Sequence, residues 1–249
     1  MHCEGLMRTE QAHIISQLKK DILSLQGYKP VPHGYGTGIS LGAINDAFPN
    51  KVFPLGAIHE FICETPENTT ASMGFIAGIL VSLMQQGSVA LWISSKEKIF
   101  PLALKSFGIE PDKIIFIEAR NQKEILWVME ESLKCDGLAA VIGEVYDLGF
   151  TVSRRLQLAI EKSRVTGFIL HHHKGSLNTT ACLARWKITS LPSWINDEMP
   201  GVGYPRWQIE LLKVRNGQAG KWEMEWVNGN FRPVYQLAVI APAQQKKTG

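Results

Sequence analysis

No two of the four cysteines stand at the Cys-x-x-Cys spacing of a zinc or redox site, because Cys3, Cys63, Cys135 and Cys182 are scattered along the chain. They read as reduced thiols used as small buried filler. Long hydrophobic runs are also missing. The longest, such as 138–142 and 76–81, are too short to cross a bilayer. The stretch around Arg8, Glu10, Lys19 and Lys20 lacks the hydrophobic centre of a secretory signal. A cytoplasmic protein with no membrane segment is expected. The Asn-Thr-Thr triplets at 68–70 and 178–180 then carry no meaning as glycosylation acceptors. No internal repeat is evident.

Charge of one sign does not dominate, since the net charge is +3, but the distribution is uneven. Residues 1–150 carry 12 Lys+Arg against 17 Asp+Glu, and residues 151–249 carry 14 against 6. A basic C-terminal third suits nucleic acid or an acidic protein surface; scattered solvated side chains give the same count. The hydrophobic content of 45% is ample for one sizeable core.

Apolar residues at helical spacing (Ile14 or Ile15, Leu18, Ile22, Leu25) predict an amphipathic helix within 9–25, stopped by Gly27. The Pro/Gly-rich stretch "YKPVPHGYGTGIS" behind it reads as a linker. The expected division is therefore an N-terminal helix and linker (1–37), a core domain (38–235) and a flexible tail (236–249).

From residue 56 short, nearly continuous apolar runs alternate with amphipathic stretches. Strands are expected at 57–63, 88–94, 113–118, 138–143 and 166–171, and helices at 70–86, 99–107, 121–134 and 151–164. Continuous apolar strands are the mark of a parallel sheet covered on both faces, so a doubly wound α/β fold follows. Asn121 and Glu124 stand at capping-box spacing for the third helix. After residue 180 the pattern changes to polar–apolar alternation with "NGQAG" and "NGN" as turn signals. Two to four antiparallel strands are expected there, continuing one edge of the sheet.

"GISLGAINDAFPNKVFPLGAIHEF" (38–61) and "FGIEPDKIIFIEA" (107–119) resemble parts of a RecA-like core. "ACLARWKITSLPS" with "GVGYPRWQIELLKVRNGQAGKWEMEWVNGNFRP" resembles the C-terminal part of ImuA-like proteins, a RecA-related family that also has SulA as a relative. The resemblance covers roughly residues 38–234 and implies a RecA-like sheet. It further implies a non-catalytic accessory role in DNA repair, in SOS-linked error-prone translesion synthesis. The implied partners are an ImuB-like Y-family polymerase homologue and a replicative-type error-prone polymerase, with DNA as a further candidate. A SulA-type inhibitor of cell division and an ATP-binding switch with little hydrolysis are the alternatives.

A phosphate-binding loop needs glycines whose N–H groups wrap the phosphates, a lysine on them and a hydroxyl on Mg²⁺. Laid along the turn from Glu60, the glycine positions fall on Cys63 and Asn68 and the lysine position on Thr69, leaving Thr70 for the metal. Glu64 and Glu67 add charge that repels phosphate. A structural turn capped by Thr69 or Thr70 is the expectation. By the resemblance, the residue that polarises the attacking water falls on Lys96 and the metal-orienting acid on Glu144. A lysine is no base at neutral pH unless strongly shifted. The site reads as a degenerate one, with no catalytic residue, no cofactor and no ATP hydrolysis.

In "HHHKG" (171–175) only His171 and His173 of an extended triplet share a face, and no acid or cysteine stands at ligand spacing nearby, so no metal is expected. By the resemblance this stretch opens a DNA-facing loop, in which His171, His172, His173, Lys174 and Asn178 would meet phosphate; a plain polar loop fits as well. Trp186, Trp207, Trp222 and Trp226 fall among Arg185, Lys187, Arg206, Lys213, Arg215, Lys221 and Arg232. That mixture suits single-stranded nucleic acid, a protein interface or the closure of one end of the core.

Overall fold

The apolar runs become the strands of one sheet. A computed structural model describes residues 14–15, 17–18, 39–84, 87–95, 101–173, 175–193 and 203–234. Most of the expected N-terminal helix, the linker and the tail lie outside the described residues. In chain order the elements are β1 (Ile58–Cys63), α1 (Pro66–Leu83), β2 (Val89–Ser94), β3 (Ile114–Glu118), α2 (Gln122–Ser132), β4 (Leu138–Val145), α3 (Phe150–Ser163) and β5 (Thr166–His172). Then follow β6 (Ala184–Leu191), β7 (Arg206–Val214), β8 (Gly220–Val227) and β9 (Asn230–Pro233). The strand order is β3-β2-β4-β5-β1-β6-β7-β8-β9. The first six strands run parallel and β7 to β9 continue antiparallel from β6. Thus β6 joins the two regimes, parallel to β1 on one side and antiparallel to β7 on the other.

Two expectations are corrected. The first helix begins at Pro66, not Thr70, because Thr65 is its cap, with proline at the first position and Glu67 in the first turn. The stretch expected as a helix over 99–107 is a short 3-10 turn over Pro101–Phe107, closed by Gly108 at φ +89°. By contrast Asn121 caps α2 as its spacing predicts, accepting from the Glu124 N–H at 3.0 Å. No helix among the described residues is long and apolar enough to cross a membrane.

The two sheet faces carry different cores. Ile125, Met129, Leu156 and Ile160 of α2 and α3 cover one with aliphatic contacts. The other face meets α1 and is aromatic: Phe53, Phe61, Phe75, Phe168, Trp186, Trp207 and Trp226 form one buried cluster. Its geometry depends on α1 lying close to the antiparallel extension. A Cβ at Gly78 would meet Phe231 Cζ at 2.6 Å and Trp226 Cζ3 at 3.0 Å, and one at Gly74 would meet Trp207 Cζ2 at 3.2 Å. One turn apart, these glycines let the helix backbone rest on aromatic rings.

His59 on β1 lies wholly inside this core, stacked on Phe53 at 4.6 Å. Nε2 donates to the Pro54 carbonyl at 2.8 Å while Nδ1 accepts from the Trp186 indole at 3.3 Å. Both ring nitrogens are thus used by the neutral form. Burial pushes its pKa down to about 4, against the smaller opposing effect of the Pro54 bond.

Gly78→Leu forces side-chain carbon into those rings and is expected to lower stability by about 3 kcal/mol, read from the urea midpoint. Between pH 6.5 and 4 the unfolded chain binds the His59 proton that the folded chain refuses, so stability rises with pH across that window. The rise amounts to about 3 kcal/mol, and His59→Leu is expected to flatten that part of the stability–pH curve.

Candidate functional site

The C-terminal ends of β1, β4 and β5 lie side by side, where a sheet of this kind presents its ligand crevice. Only Glu64 and Thr65 separate β1 from α1. So short a connection leaves no loop to wrap a phosphate chain: Asn68 and Thr69 fall in the first turn of the helix and Thr70 opens the second.

The donors at that helix start are engaged within the chain. Pro66 has no N–H. The Asn68 N–H reaches Thr65 Oγ1 at 3.3 Å and the Thr69 N–H reaches the Thr65 carbonyl at 3.0 Å. The Thr65 hydroxyl and the residue's own N–H hold the Glu67 carboxyl below its usual range. Thr69 Oγ1 donates to the Thr65 carbonyl and Thr70 Oγ1 to the Pro66 carbonyl, both at 3.1 Å. The Asn68 amide turns inward and donates to the Ile188 carbonyl on β6 at 3.1 Å. Glu64 pairs with Lys187 at 2.6 Å, and Cys63 is buried with its thiol 3.9 Å from Ser72 Oγ. Phosphate would have to displace the protein's own acceptors, and Glu67 repels it besides.

Polar groups lie on each face of the strand ends. On the α1 face, buried Glu144 binds His172 Nε2 at 3.2 Å, and the His172 ring stacks on Tyr146 at 4.9 Å. On the opposite face Glu60 is completely buried and accepts three bonds at 2.8 Å, from His171 Nδ1, Thr180 Oγ1 and Arg185 Nε. Burial alone would raise its pKa, but the bonds from His171, Arg185 and Thr180 outweigh that and hold the carboxyl below its usual range. Burial, with the Glu60 charge second, pushes the neighbouring Cys182 thiol up to about 12, so it is unreactive.

The Glu60 cluster fastens the segment between β5 and β6. Arg185 also binds the Asn178 carbonyl at 2.6 Å, and the Ala181 N–H donates to Ser153 Oγ at 2.9 Å. The sequence reading missed Glu60 as a functional group; the signal was a lone acid in the apolar strand "IHEFIC", with Arg185, 125 residues on in the neighbouring strand β6, as the compensating cation.

Lys96 and Lys174 lie outside the described residues. Among the other expected contact residues, His173 Nε2 is enclosed without a hydrogen-bond partner among the described residues, its ring 5.3 Å from His171. Lys187 and Arg185 are taken up by Glu64 and Glu60. Arg206 reaches the Pro192 carbonyl at 3.5 Å and Arg215 the Ala181 carbonyl at 3.1 Å. Lys213 is exposed. Trp207 is buried against Phe75 and Phe107, so its indole is a core group and is not presented for stacking on a base. Trp186 and Trp226 are buried too; these tryptophans close the core. Among the described residues no group of three or more His, Cys, Asp or Glu is arranged to hold a metal.

Beside the first turns of α1 an open groove of about 600 Å³ runs between Thr70, Met73 and Gly74 on one wall and Leu104, Phe107 and Trp207 on the other. It is mainly apolar.

Strand order and the helix after β1 define a RecA-type α/β core. Its likeness to the structure of the RadB recombinase agrees, with a TM-score of 0.50 at 14% identity, covering 73% of this chain and 92% of that one. No protein-family profile matches. The chain is 30% identical over 213 residues to protein ImuA of Caulobacter vibrioides, covering 79% of this chain and 87% of the relative. It therefore belongs to the ImuA family. A weaker likeness, 25% identity over 115 residues, links 46% of the chain to 67% of the cell division inhibitor SulA of Yersinia pestis.

Glu60→Ala leaves Arg185 uncompensated and is expected to lower stability by about 3–5 kcal/mol near neutral pH, measured by urea unfolding. Because the folded Glu60 carboxyl titrates below its ordinary value of 4.5, its contribution is complete above that value and lost as pH falls through the lower folded one. The gap between wild type and variant should therefore be constant above about pH 5 and close on acidification.

Proposed function

We propose that this protein is a non-catalytic, RecA-like accessory protein of DNA repair, acting in the cytoplasm in SOS-linked error-prone translesion synthesis. Its work is binding. Its partners in this reading are an ImuB-like Y-family polymerase homologue and a replicative-type error-prone polymerase, with DNA as a further ligand of the basic C-terminal strands. The observation that carries the proposal is the kinship with Caulobacter ImuA across most of both chains. The self-satisfied start of α1 supports the absence of ATP hydrolysis, since the phosphate-loop position is degenerate in both residue type and donor supply.

The contact surfaces in this reading are the N-terminal segment, whose Ile14, Ile15 and Leu18 are each more than half exposed, and the cations Arg206 and Lys213 on β7. The SulA likeness favours a second reading, inhibition of cell division by binding the tubulin-like division protein. Filamentation of cells on overexpression separates the two.

Tagged full-length protein, recovered from DNA-damaged cells, is expected to bring down an ImuB-like homologue. Deletion of residues 1–27, or Arg206→Glu with Lys213→Glu, should reduce that recovery several-fold without changing the melting temperature. Binding neither to polymerase components nor to DNA at low salt contradicts the proposal.

A further inference from the structure

Strand β8 is covered along only part of its outer edge. β9 pairs with its residues 224–227, and Val234, just past the end of β9, adds one bond, its N–H donating to the Glu223 carbonyl at 3.0 Å. Over residues 220–222 no strand lies beside that edge among the described residues. Which groups are left facing outward follows from the ladder, because antiparallel strands alternate bonded and non-bonded pairs. Toward β7 the bonded residues of β8 are even-numbered, since the Trp226 N–H donates to the Pro205 carbonyl at 2.9 Å. The odd-numbered ones therefore turn their N–H and C=O groups to the other side, as Glu223 does. The next of these is Lys221, whose backbone groups meet no strand there among the described residues.

The two-residue turn of Asn228 and Gly229, both at positive φ, fixes the register of β9. Carried past Val234, that register sets Tyr235 opposite Trp222, Gln236 opposite Lys221 and Leu237 opposite Gly220. We infer that residues 235–237 follow it, as a strap along the open part of β8 in which the Gln236 N–H and C=O meet those of Lys221. The occupant is the chain's own continuation, "YQL", which leaves from Val234, a residue already bonded to this edge.

The side chains suit the two faces. Phe231 packs against the aromatic core, so alternation puts Tyr235 and Leu237 on that face and Gln236 on the other. Trp222 is half-buried on the aromatic face, its ring folded over Gly220, where a Cβ would overlap it. Tyr235 stands directly across from that tryptophan and Leu237 across from Gly220, cross-strand apolar neighbours of the kind that stabilise a sheet. On the other face Gln236 lies next to Lys221, whose ammonium pairs with Glu210 at 3.5 Å. Pro233 sits opposite Met224, in a non-bonded pair where its missing N–H takes nothing from the ladder. It also interrupts the outward row of β9, so the strap replaces an unbroken edge of β8 by one on which a further strand finds a gap. A partner then meets this side of the sheet through side chains. This goes beyond the proposed function and does not depend on it.

Amide hydrogen exchange of the full-length protein, read by NMR, tests the strap. The Lys221 and Gln236 amides are expected to exchange about tenfold or more slowly than those of Tyr235 and Leu237, which point outward. A cross-peak between the Hα atoms of Trp222 and Tyr235 is expected too, since the Cα atoms of a non-bonded pair lie about 4.5 Å apart. Gln236→Pro removes the inward N–H and should return the Lys221 amide to fast exchange. Leu237→Pro, at the same outward parity as Pro233, should leave it slow. Fast exchange of Lys221 in the unaltered chain overturns the inference, as does equal protection of all three amides from 235 to 237. Protection of Lys221 that grows with protein concentration and survives Gln236→Pro gives the edge to a second copy instead, and overturns it as well.

Discussion

A helix begins with backbone N–H groups that have no partner of their own, and much here follows from how α1 satisfies them. In phosphate-binding folds those donors are held in reserve for a ligand. In this chain Thr65 caps the helix, Pro66 removes one donor and the Glu67 carboxylate and Thr65 hydroxyl occupy the rest that are accounted for. The helix can then start directly after β1, which fixes the short connection and the inward turn of Asn68 onto β6.

That inward turn links the first helix to the far half of the sheet. The Asn68 amide, the close approach at Gly74 and Gly78, and the aromatic cluster all connect α1 to β6 through β9. On the opposite face the Glu60 cluster does the same for the β5–β6 segment, tying it through Arg185, Thr180 and His171. Where a nucleotide-dependent relative would need movable parts, this chain has buried, fully engaged polar joints. Such joints specify one arrangement but resist rearrangement. A binding role on the outer surfaces accords with that construction.

Much of the fold was legible in the sequence because strands buried on both faces read as continuous apolar runs, and all five expected parallel strands appear within a few residues of their places. The expected helix start lies four residues late because Thr69 and Thr70 compete with Thr65 as candidate caps, whereas Pro66 takes the first helical position. Trp207 among basic residues read equally as a stacking platform and as core, since alternation reveals that a side chain points to one face but not what covers it. Gly74 and Gly78 carry no signal without their aromatic partners. The Glu60–Arg185 pair spans 125 residues, so the lone acid in "IHEFIC" signals a buried charge but not which cation answers it.

The start of α1 has the build of a structural joint, its donors engaged by Thr65 and its Asn68 amide by β6. Isothermal titration of the full-length protein with ATP and Mg²⁺, read together with the backbone amide shifts of Glu67, Asn68 and Thr69, tests it most directly. A flat titration and unmoved amides are expected up to millimolar nucleotide, a level at which even weak binding, about −4 kcal/mol, is seen. Saturable heat with displacement of those three amide signals would contradict it.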